Sequence, residues 1–134
     1  MIISALDDKF DISIAKKTNP IVLAYIGDSV HSLYIRTKLI MQTNERANAM
    51  HNISSSVVNA ASQARAYELL SGEFNEDEIA VFKRARNSKN HQQGKNASVI
   101  DYRKSTGFEA VLGYLYLTGQ TERLNYILDK SSLI

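Results

Sequence analysis

Apolar residues recur at helical spacing along nearly the whole chain, and this pattern constrains the fold more than any other feature. In the first long example, the apolar positions are Val22, Tyr25, Ile26, Val30, Leu33 and Tyr34. These positions are three or four residues apart or adjacent, so they share one face of an α-helix. Strict alternation of apolar and polar residues, which would indicate β-strands, is rare. The pattern predicts an all-α domain of about six helices, each burying one face against its neighbours.

Capping residues and glycines set the limits of the predicted helices. An asparagine followed by proline, Asn19 and Pro20, predicts the start of the first helix because proline fits the first helical turn. Asn75 and Glu78 have the spacing of a capping box, in which each side chain bonds the other residue's backbone N–H. The predicted helices span residues 20 to about 42, 45 to 70, 75 to 87 and 98 to 119, followed by a short helix capped by Thr121.

Length and composition indicate a single globular domain, residues 1–134, which is enough chain for one hydrophobic core. The sequence is 44% hydrophobic and 22% charged, with one proline and no low-complexity tract. Residues 1–8 lack the pattern of a signal peptide, and the longest apolar run, 21–26, is too short to cross a bilayer. The chain has no cysteine, which excludes disulfides and thiolate metal sites. We therefore expect a soluble, cytoplasmic protein with no membrane partner.

Positive charge is concentrated between Lys83 and Lys104. This basic segment has seven basic residues and one acid, so it carries +6 while the rest of the chain carries −4. Its basic residues are Lys83, Arg84, Arg86, Lys89, Lys95, Arg103 and Lys104. Such clustering favours one anionic partner meeting one face of the protein. The alternative is an ordinary solvated loop.

Two carboxylates interrupt apolar helices. Asp28 lies within Ala24 to Val30, and Glu109 lies within a similar apolar run. A carboxylate drawn toward a core costs several kcal/mol unless something pairs with it. Small residues surround both acids at helical spacing, which would let the two helices approach closely: Ala24, Gly27 and Ser32 near the first, and Ser105, Thr106 and Gly113 near the second.

Two interpretations of these acids follow. Together they could hold a hard cation such as Mg²⁺. Alternatively their role is structural, each forming an ion pair with Arg36, Arg103 or Lys104 or simply lying at the rim of a packed face. The basic segment just before Glu109 favours the first interpretation. Metal-bound carboxylates beside lysine and arginine are suited to phosphodiester hydrolysis, because the metal activates water while the basic residues hold the phosphate backbone.

The histidines and the polar residues of the second predicted helix give weaker indications of a role. The three histidines, His31, His51 and His91, lack metal-ligand spacing, so we expect them at the surface or facing a partner. We hypothesise that Asn59, Ser62 and Gln63 line the cleft from the second predicted helix.

The residues around both acids also resemble a known family. Residues 23–30 (LAYIGDSV) resemble the motif that supplies the catalytic aspartate of the ribonuclease III fold, and residues 106–116 (TGFEAVLGYLY) resemble the motif that supplies its catalytic glutamate. Between them, residues 84–89 (RARNSK) and 95–96 (KN) are similar to the basic stretch of Mini-ribonuclease III. That branch is the short form without a separate domain for binding double-stranded RNA.

The resemblance implies a homodimeric, all-helical nuclease that cuts double-stranded RNA with Mg²⁺, or with Mn²⁺ in its place, and leaves 5′-phosphate and 3′-hydroxyl ends. It implies structured precursor RNA as substrate, with maturation of ribosomal (23S) RNA precursors as the expected role. Asp28 and Glu109 are the implied catalytic and metal-binding residues. The expected RNA-binding residues are Arg84, Arg86, Asn87, Lys89, Lys95, Asn96 and Arg103. Since the basic loop has no aromatic cluster, duplex binding is favoured over base stacking.

The chain departs from the larger ribonuclease III enzymes near both acids. Ile21, Ala24 and Thr106 stand where those enzymes have further carboxylates, so water or RNA phosphate would complete the metal shell. Two alternatives remain open at this point. One is a non-cutting RNA-binding or ribosome-assembly factor on the same fold, which would need the two acids only for structure. The other is a purely structural helical dimer, which would have no need for clustered charge.

Overall fold

The computed structural model describes residues 10–88 and 98–134, and the described residues form seven α-helices and no strand. The helices are α1 (Ile12–Lys17), α2 (Pro20–Gln42), α3 (Ala47–Val57), α4 (Ala60–Glu68), α5 (Glu76–Arg86), α6 (Val99–Leu117) and α7 (Thr121–Ser131). The all-α prediction is confirmed. None of these helices has both the length and the apolar character that a bilayer crossing requires.

Helix α6 is the centre of the fold. It packs against α2, α4 and α5, most extensively against α2. Within α6, residues 105–108 and 110–115 are all buried. A helix that is covered on every side is expected to carry apolar or small residues around its whole circumference. Residues 105–115 of α6 do so except at Glu109.

Two glycines allow α2 and α6 to cross with their backbones in contact. A Cβ atom on Gly27 would lie 1.7 Å from the carbonyl oxygen of Glu109, and one on Gly113 would lie 1.9 Å from the carbonyl oxygen of Leu23. Any side chain at these positions would therefore force the helices apart. The close approach predicted from the small residues around both acids is confirmed.

The predicted helix over residues 45–70 is wrong in one respect, because the chain breaks there into α3 and α4. Asn59 causes the break: its side chain accepts a bond from the Ser62 N–H at 2.9 Å and donates to the carbonyls of Ser55 and Ser56 at 3.0 Å. One residue thus ends α3 and caps α4, as asparagine does more readily than it continues a helix.

The ends of the remaining helices follow the sequence closely. The capping box of α5 is present, with Asn75 and Glu78 exchanging backbone hydrogen bonds. Ser98 caps α6 as predicted. Thr121, however, is the first residue of α7 rather than its cap; Gln120 occupies that position, and its side chain makes no capping bond. Helix α1, with Asp11 as its cap, was not predicted.

Candidate active site

The crossing of α2 and α6 brings Asp28 and Glu109 together. Gly27 lies against the backbone of Glu109, so the next residue of α2 is placed beside the Glu109 side chain. Asp28 thus lies close enough for its carboxylate to raise the pKa of the Glu109 carboxyl. Asp28 is exposed, whereas Glu109 is partly buried. The structure therefore unites two predicted residues that are far apart in the sequence.

This pairing changes the acidity of Glu109. Burial raises the pKa of its carboxyl to about 9. The hydrogen bond that the protonated Glu109 donates to Asp28, and the negative charge of Asp28, act in the same direction. A hydrogen bond from Gln63 has the opposite effect. At neutral pH, without a bound cation, Glu109 is therefore protonated. Two carboxyl groups this close do not readily both ionise.

Among the described residues, the predicted partners Arg36, Arg103 and Lys104 form no ion pair with either acid. Arg103 donates instead to the backbone carbonyl of Arg86 at 3.1 Å, and Lys104 pairs with Glu68 at 2.6 Å. Across residues 10–88 and 98–134, no ion pair includes Asp28 or Glu109. For these residues the ion-pair interpretation is wrong.

A polar cavity of about 230 Å³ adjoins Asp28. It is lined by Asp28, Ser32, Arg36, Ser54, Ser55 and Val58. Asp28 and Glu109 lack a paired cation among the residues that the structure describes, and Asp28 faces this polar cavity. Two such neighbouring carboxyl groups fit a hard divalent cation, whose charge would favour the ionised form of Glu109. In the described part of the chain, no three histidine, aspartate or glutamate residues cluster as a metal site. The protein would thus supply two carboxylates, and water or phosphate oxygens would fill the other positions.

His31 is buried, so the prediction that it lies at the surface is wrong. Only 5% of the residue is exposed, and its ring meets Phe108 edge-on at a centroid distance of 5.4 Å. Burial lowers the pKa of His31 to about 4, so the ring is neutral. The sequence offers one signal of this burial, the spacing of His31 from Asp28. His31 follows Asp28 by one helical turn, so it lies on the side of α2 that packs against α6.

The hypothesis that α4 lines the cleft is supported for Gln63. Its Nε2 lies 3.1 Å from Nδ1 of His31 and donates to Oε2 of Glu109 at 3.3 Å. Ser62 is instead buried, and its hydroxyl donates to the carbonyl of Ser56 at 2.7 Å. Asn59 caps α4 and does not reach the acids through any observed bond.

Four of the predicted RNA-binding residues lie in the described segments. Arg84 donates to the backbone carbonyl of Thr18 at 2.7 Å. Arg86 donates to Asn87 at 3.1 Å, and its guanidinium lies over the ring of Phe82. The contact of Arg103 with the carbonyl of Arg86 joins the end of α5 to α6.

The bonds of Arg103 thus hold the fold together, while its predicted contact with RNA stays a prediction. Lys89, Lys95 and Asn96 lie outside the described residues, as does His91.

Comparison with known proteins supplies an independent line of support. A model of the ribonuclease III domain matches residues 21–120. The Mini-ribonuclease 3 of Clostridium tetani is 44% identical over 124 residues, covering 92% of this chain and 82% of that protein. The Mini-ribonuclease 3 of Staphylococcus aureus is 42% identical and covers 86% of this chain and 87% of its own. A crystal structure from Fusobacterium nucleatum, 27% identical, superposes with a TM-score of 0.74 over 83% of this chain and 88% of that one.

Proposed function

Because this chain belongs to the ribonuclease III family and is an endoribonuclease, we propose that Asp28 and Glu109 are its catalytic residues and that double-stranded RNA is its substrate. The observation that carries the proposal is the meeting of these two carboxyl groups at the crossing of α2 and α6. Neither acid has a structural ion pair among the described residues. Placing two such groups side by side costs stability, and that cost is typical of a functional site.

Asp28 and Glu109 would together hold Mg²⁺, or Mn²⁺ in its place. When bound, the ion supplies an activated water for in-line attack on a phosphodiester and stabilises charge on the phosphate. Asp28 faces the polar cavity and so presents its carboxylate toward the substrate side. Glu109 must lose its proton to act as a ligand, and its fixed place on the central helix sets the direction of its carboxylate. Products with 5′-phosphate and 3′-hydroxyl ends are the expected outcome.

Duplex RNA fits the charge of this protein. An A-form helix is recognised mainly through its phosphates and 2′-hydroxyls, which basic and amide side chains contact. We assign this role to the end of α5 and the following segment: Arg84, Arg86, Asn87, Lys89, Lys95 and Asn96, with Arg103 beside them. Structured precursors of ribosomal RNA, 23S among them, are the proposed natural substrates, which places the enzyme in the cytoplasm.

We further propose that the enzyme is a homodimer. Helix α2 exposes Val22, Tyr25 and Leu33, and Tyr25 alone is 80% exposed. A two-fold pair would cover such apolar residues and present two active sites to one duplex, through an interface that uses the same surface on both subunits.

The test is cleavage of a long labelled RNA duplex by wild type, Asp28→Asn and Glu109→Gln, each with Mg²⁺ and with EDTA. We expect cleavage only by wild type with Mg²⁺, because each variant removes one negative ligand while preserving shape. Duplex binding, measured in EDTA, should survive in both variants. A structured precursor of 23S RNA serves as the second substrate.

Two results would contradict the proposal. Cleavage by either variant at the wild-type rate would show that the substituted residue is not catalytic. Cleavage of single-stranded RNA in preference to the duplex would overturn the proposed substrate.

A further inference from the structure

The side-chain amide of Gln63 connects the buried His31 to Glu109. Its Nε2 is 3.1 Å from Nδ1 of His31 and 3.3 Å from Oε2 of Glu109. A primary amide carries two hydrogens on this nitrogen, so one group can donate to both partners at once. Gln63 is only 4% exposed, so water competes little for either bond.

The bond to Oε2 of Glu109 sets which way the amide faces, and Nδ1 of His31 is then the second acceptor when the His31 proton is on Nε2. If the amide were turned over, its oxygen would point at the carboxyl of Glu109 and at the lone pair of His31, and both contacts would be lost. His31 is neutral because burial lowers its pKa to about 4. It can therefore accept at Nδ1 when its proton is on Nε2.

His31 is itself held in place. Its ring packs edge-on against Phe108, the residue just before Glu109, with the ring planes at 84°. The acceptor nitrogen therefore has a fixed position relative to the backbone of α6. Gln63 contacts both this nitrogen and Oε2 of Glu109, so the fixed nitrogen limits where Oε2 can lie. The other oxygen of Glu109 receives no bond from Gln63.

We propose that Gln63 is a positioning residue that orients the carboxyl group of Glu109 for cation binding, and that His31 acts through it as the fixed acceptor. The proposal rests on the function assigned above to Asp28 and Glu109. A free glutamate side chain has several rotamers, and only some of them point toward Asp28. Residues that orient metal ligands in this way typically contribute about 10- to 100-fold to metal affinity or activity.

Three variants separate positioning from general stability. Gln63→Leu removes both bonds, and His31→Leu removes the acceptor while keeping an apolar side chain. His31→Asn is the matched control, because its side-chain oxygen can accept close to the place of Nδ1. For each we would measure Mn²⁺ affinity by water-proton relaxation, the single-turnover cleavage rate at saturating duplex, duplex affinity in EDTA, and thermal unfolding.

Both leucine variants should bind Mn²⁺ about 10-fold more weakly and cleave about 10- to 100-fold more slowly. Their duplex affinity in EDTA should equal that of wild type, since neither residue belongs to the basic segment. His31→Asn should recover most of the lost metal affinity and rate.

Each of the following results would contradict the proposal. Leucine variants that unfold at lower temperature but keep wild-type Mn²⁺ affinity and rate would show a structural role only and overturn the proposal. His31→Asn performing no better than His31→Leu would overturn the part assigned to His31. If wild type itself neither bound Mn²⁺ nor cut the duplex, the proposed function would fail, and this inference with it.

One measurement needs no variant. Nitrogen-15 NMR of wild type should show His31 neutral, with its proton on Nε2 and Nδ1 as a hydrogen-bond acceptor. A proton on Nδ1 would overturn the proposal, because Gln63 could not then donate to that nitrogen.

Discussion

Glu109 makes the metal-free protein sensitive to pH. Its pKa is about 9 in the folded protein, against 4.5 for an ordinary glutamate. Between these values the folded state holds a proton that the unfolded state has lost, so this group stabilises the fold at low pH. The stabilisation is lost as pH rises toward 9, at up to about 1.4 kcal/mol per pH unit.

We therefore expect Glu109→Gln to gain stability relative to wild type as pH rises from 5 to 8. Denaturant unfolding in EDTA measures this difference. Asp28→Asn is the control: it removes the charge that opposes ionisation of Glu109, so the pH dependence should shrink. A constant difference between Glu109→Gln and wild type over this range would contradict the assignment.

The ion pair of Glu78 and Arg123 is the most buried one observed. Glu78 is 0% exposed, accepts two bonds of 2.8 Å from the guanidinium, and also completes the capping box of α5. Arg123→Met should cost about 3–5 kcal/mol, because it leaves a buried carboxylate without its partner.

Thermal or denaturant unfolding tests this expectation. The matched control is Lys16→Met, which breaks the exposed pair with Asp77 at 3.1 Å and should cost no more than about 1 kcal/mol. Equal losses in the two variants would contradict it.

Single residues differ in how much the sequence alone reveals about them. Asp28 and Glu109 could be identified because each interrupts an apolar run. The expected cost of burial applies only to Glu109, since Asp28 is exposed. The spacing of His31 from Asp28 indicates only that it lies on the side of α2 that packs against α6; an isolated histidine gives no sign of which side chains it contacts. What buries His31 is Phe108 on another helix, and what bonds it is Gln63 on a third.

Gly27 of α2 and Gly113 of α6 determine how closely these two helices approach each other. Gly27→Ala should destabilise the protein by at least about 3 kcal/mol or prevent folding, because its methyl group would overlap the backbone of Glu109, which no rotamer change relieves. Cleavage should fall with it, since the two acids would separate.

Gly72→Ala is the matched control, because nothing lies within 4 Å of a methyl group there. We expect it to change stability by less than about 1 kcal/mol. Calorimetry on both variants would decide the matter, and a well-folded, active Gly27→Ala protein would contradict the crossing.

Helix boundaries were predictable where periodicity and caps agree. Helices α2, α5 and α6 combine an apolar period with a capping residue, and their limits match the prediction within two residues. Residues 54–58, three serines and two valines, have weak helix propensity and lie next to the break at Asn59. The break itself was not predicted, because the capping bonds of Asn59 are formed only in the folded chain. Helix α1 has six residues, too few for a periodic pattern.

The whole protein should bind duplex RNA mainly through charge, so affinity should fall steeply with salt. Arg84→Gln and Arg86→Gln should each lower the slope of log affinity against log salt by about one. Lys130→Gln, on α7 and outside the basic segment, is the control and should leave the slope unchanged. Filter binding at several salt concentrations in EDTA measures all three, and an unchanged slope in both arginine variants would exclude them from the interface.

Self-association is tested at the exposed face of α2. Tyr25→Glu should convert a dimer to monomers in analytical ultracentrifugation, because it places a charge among exposed apolar residues. Leu69→Glu is the control, since Leu69 is also exposed, at 56%, but lies at the end of α4. A Tyr25→Glu protein that sediments like wild type would exclude this face as the interface.

The backbone contact between α2 and α6 also bears on the stage of folding at which RNA cleavage can begin. The two carboxylates that we propose to be catalytic come from distant parts of the chain and meet only where Gly27 lies against the backbone of Glu109. Contacts between residues so far apart in sequence are costly to form early in folding. We therefore expect a nascent or partly unfolded chain to bind RNA through its basic segment before it can cut, with cutting beginning only at the native crossing.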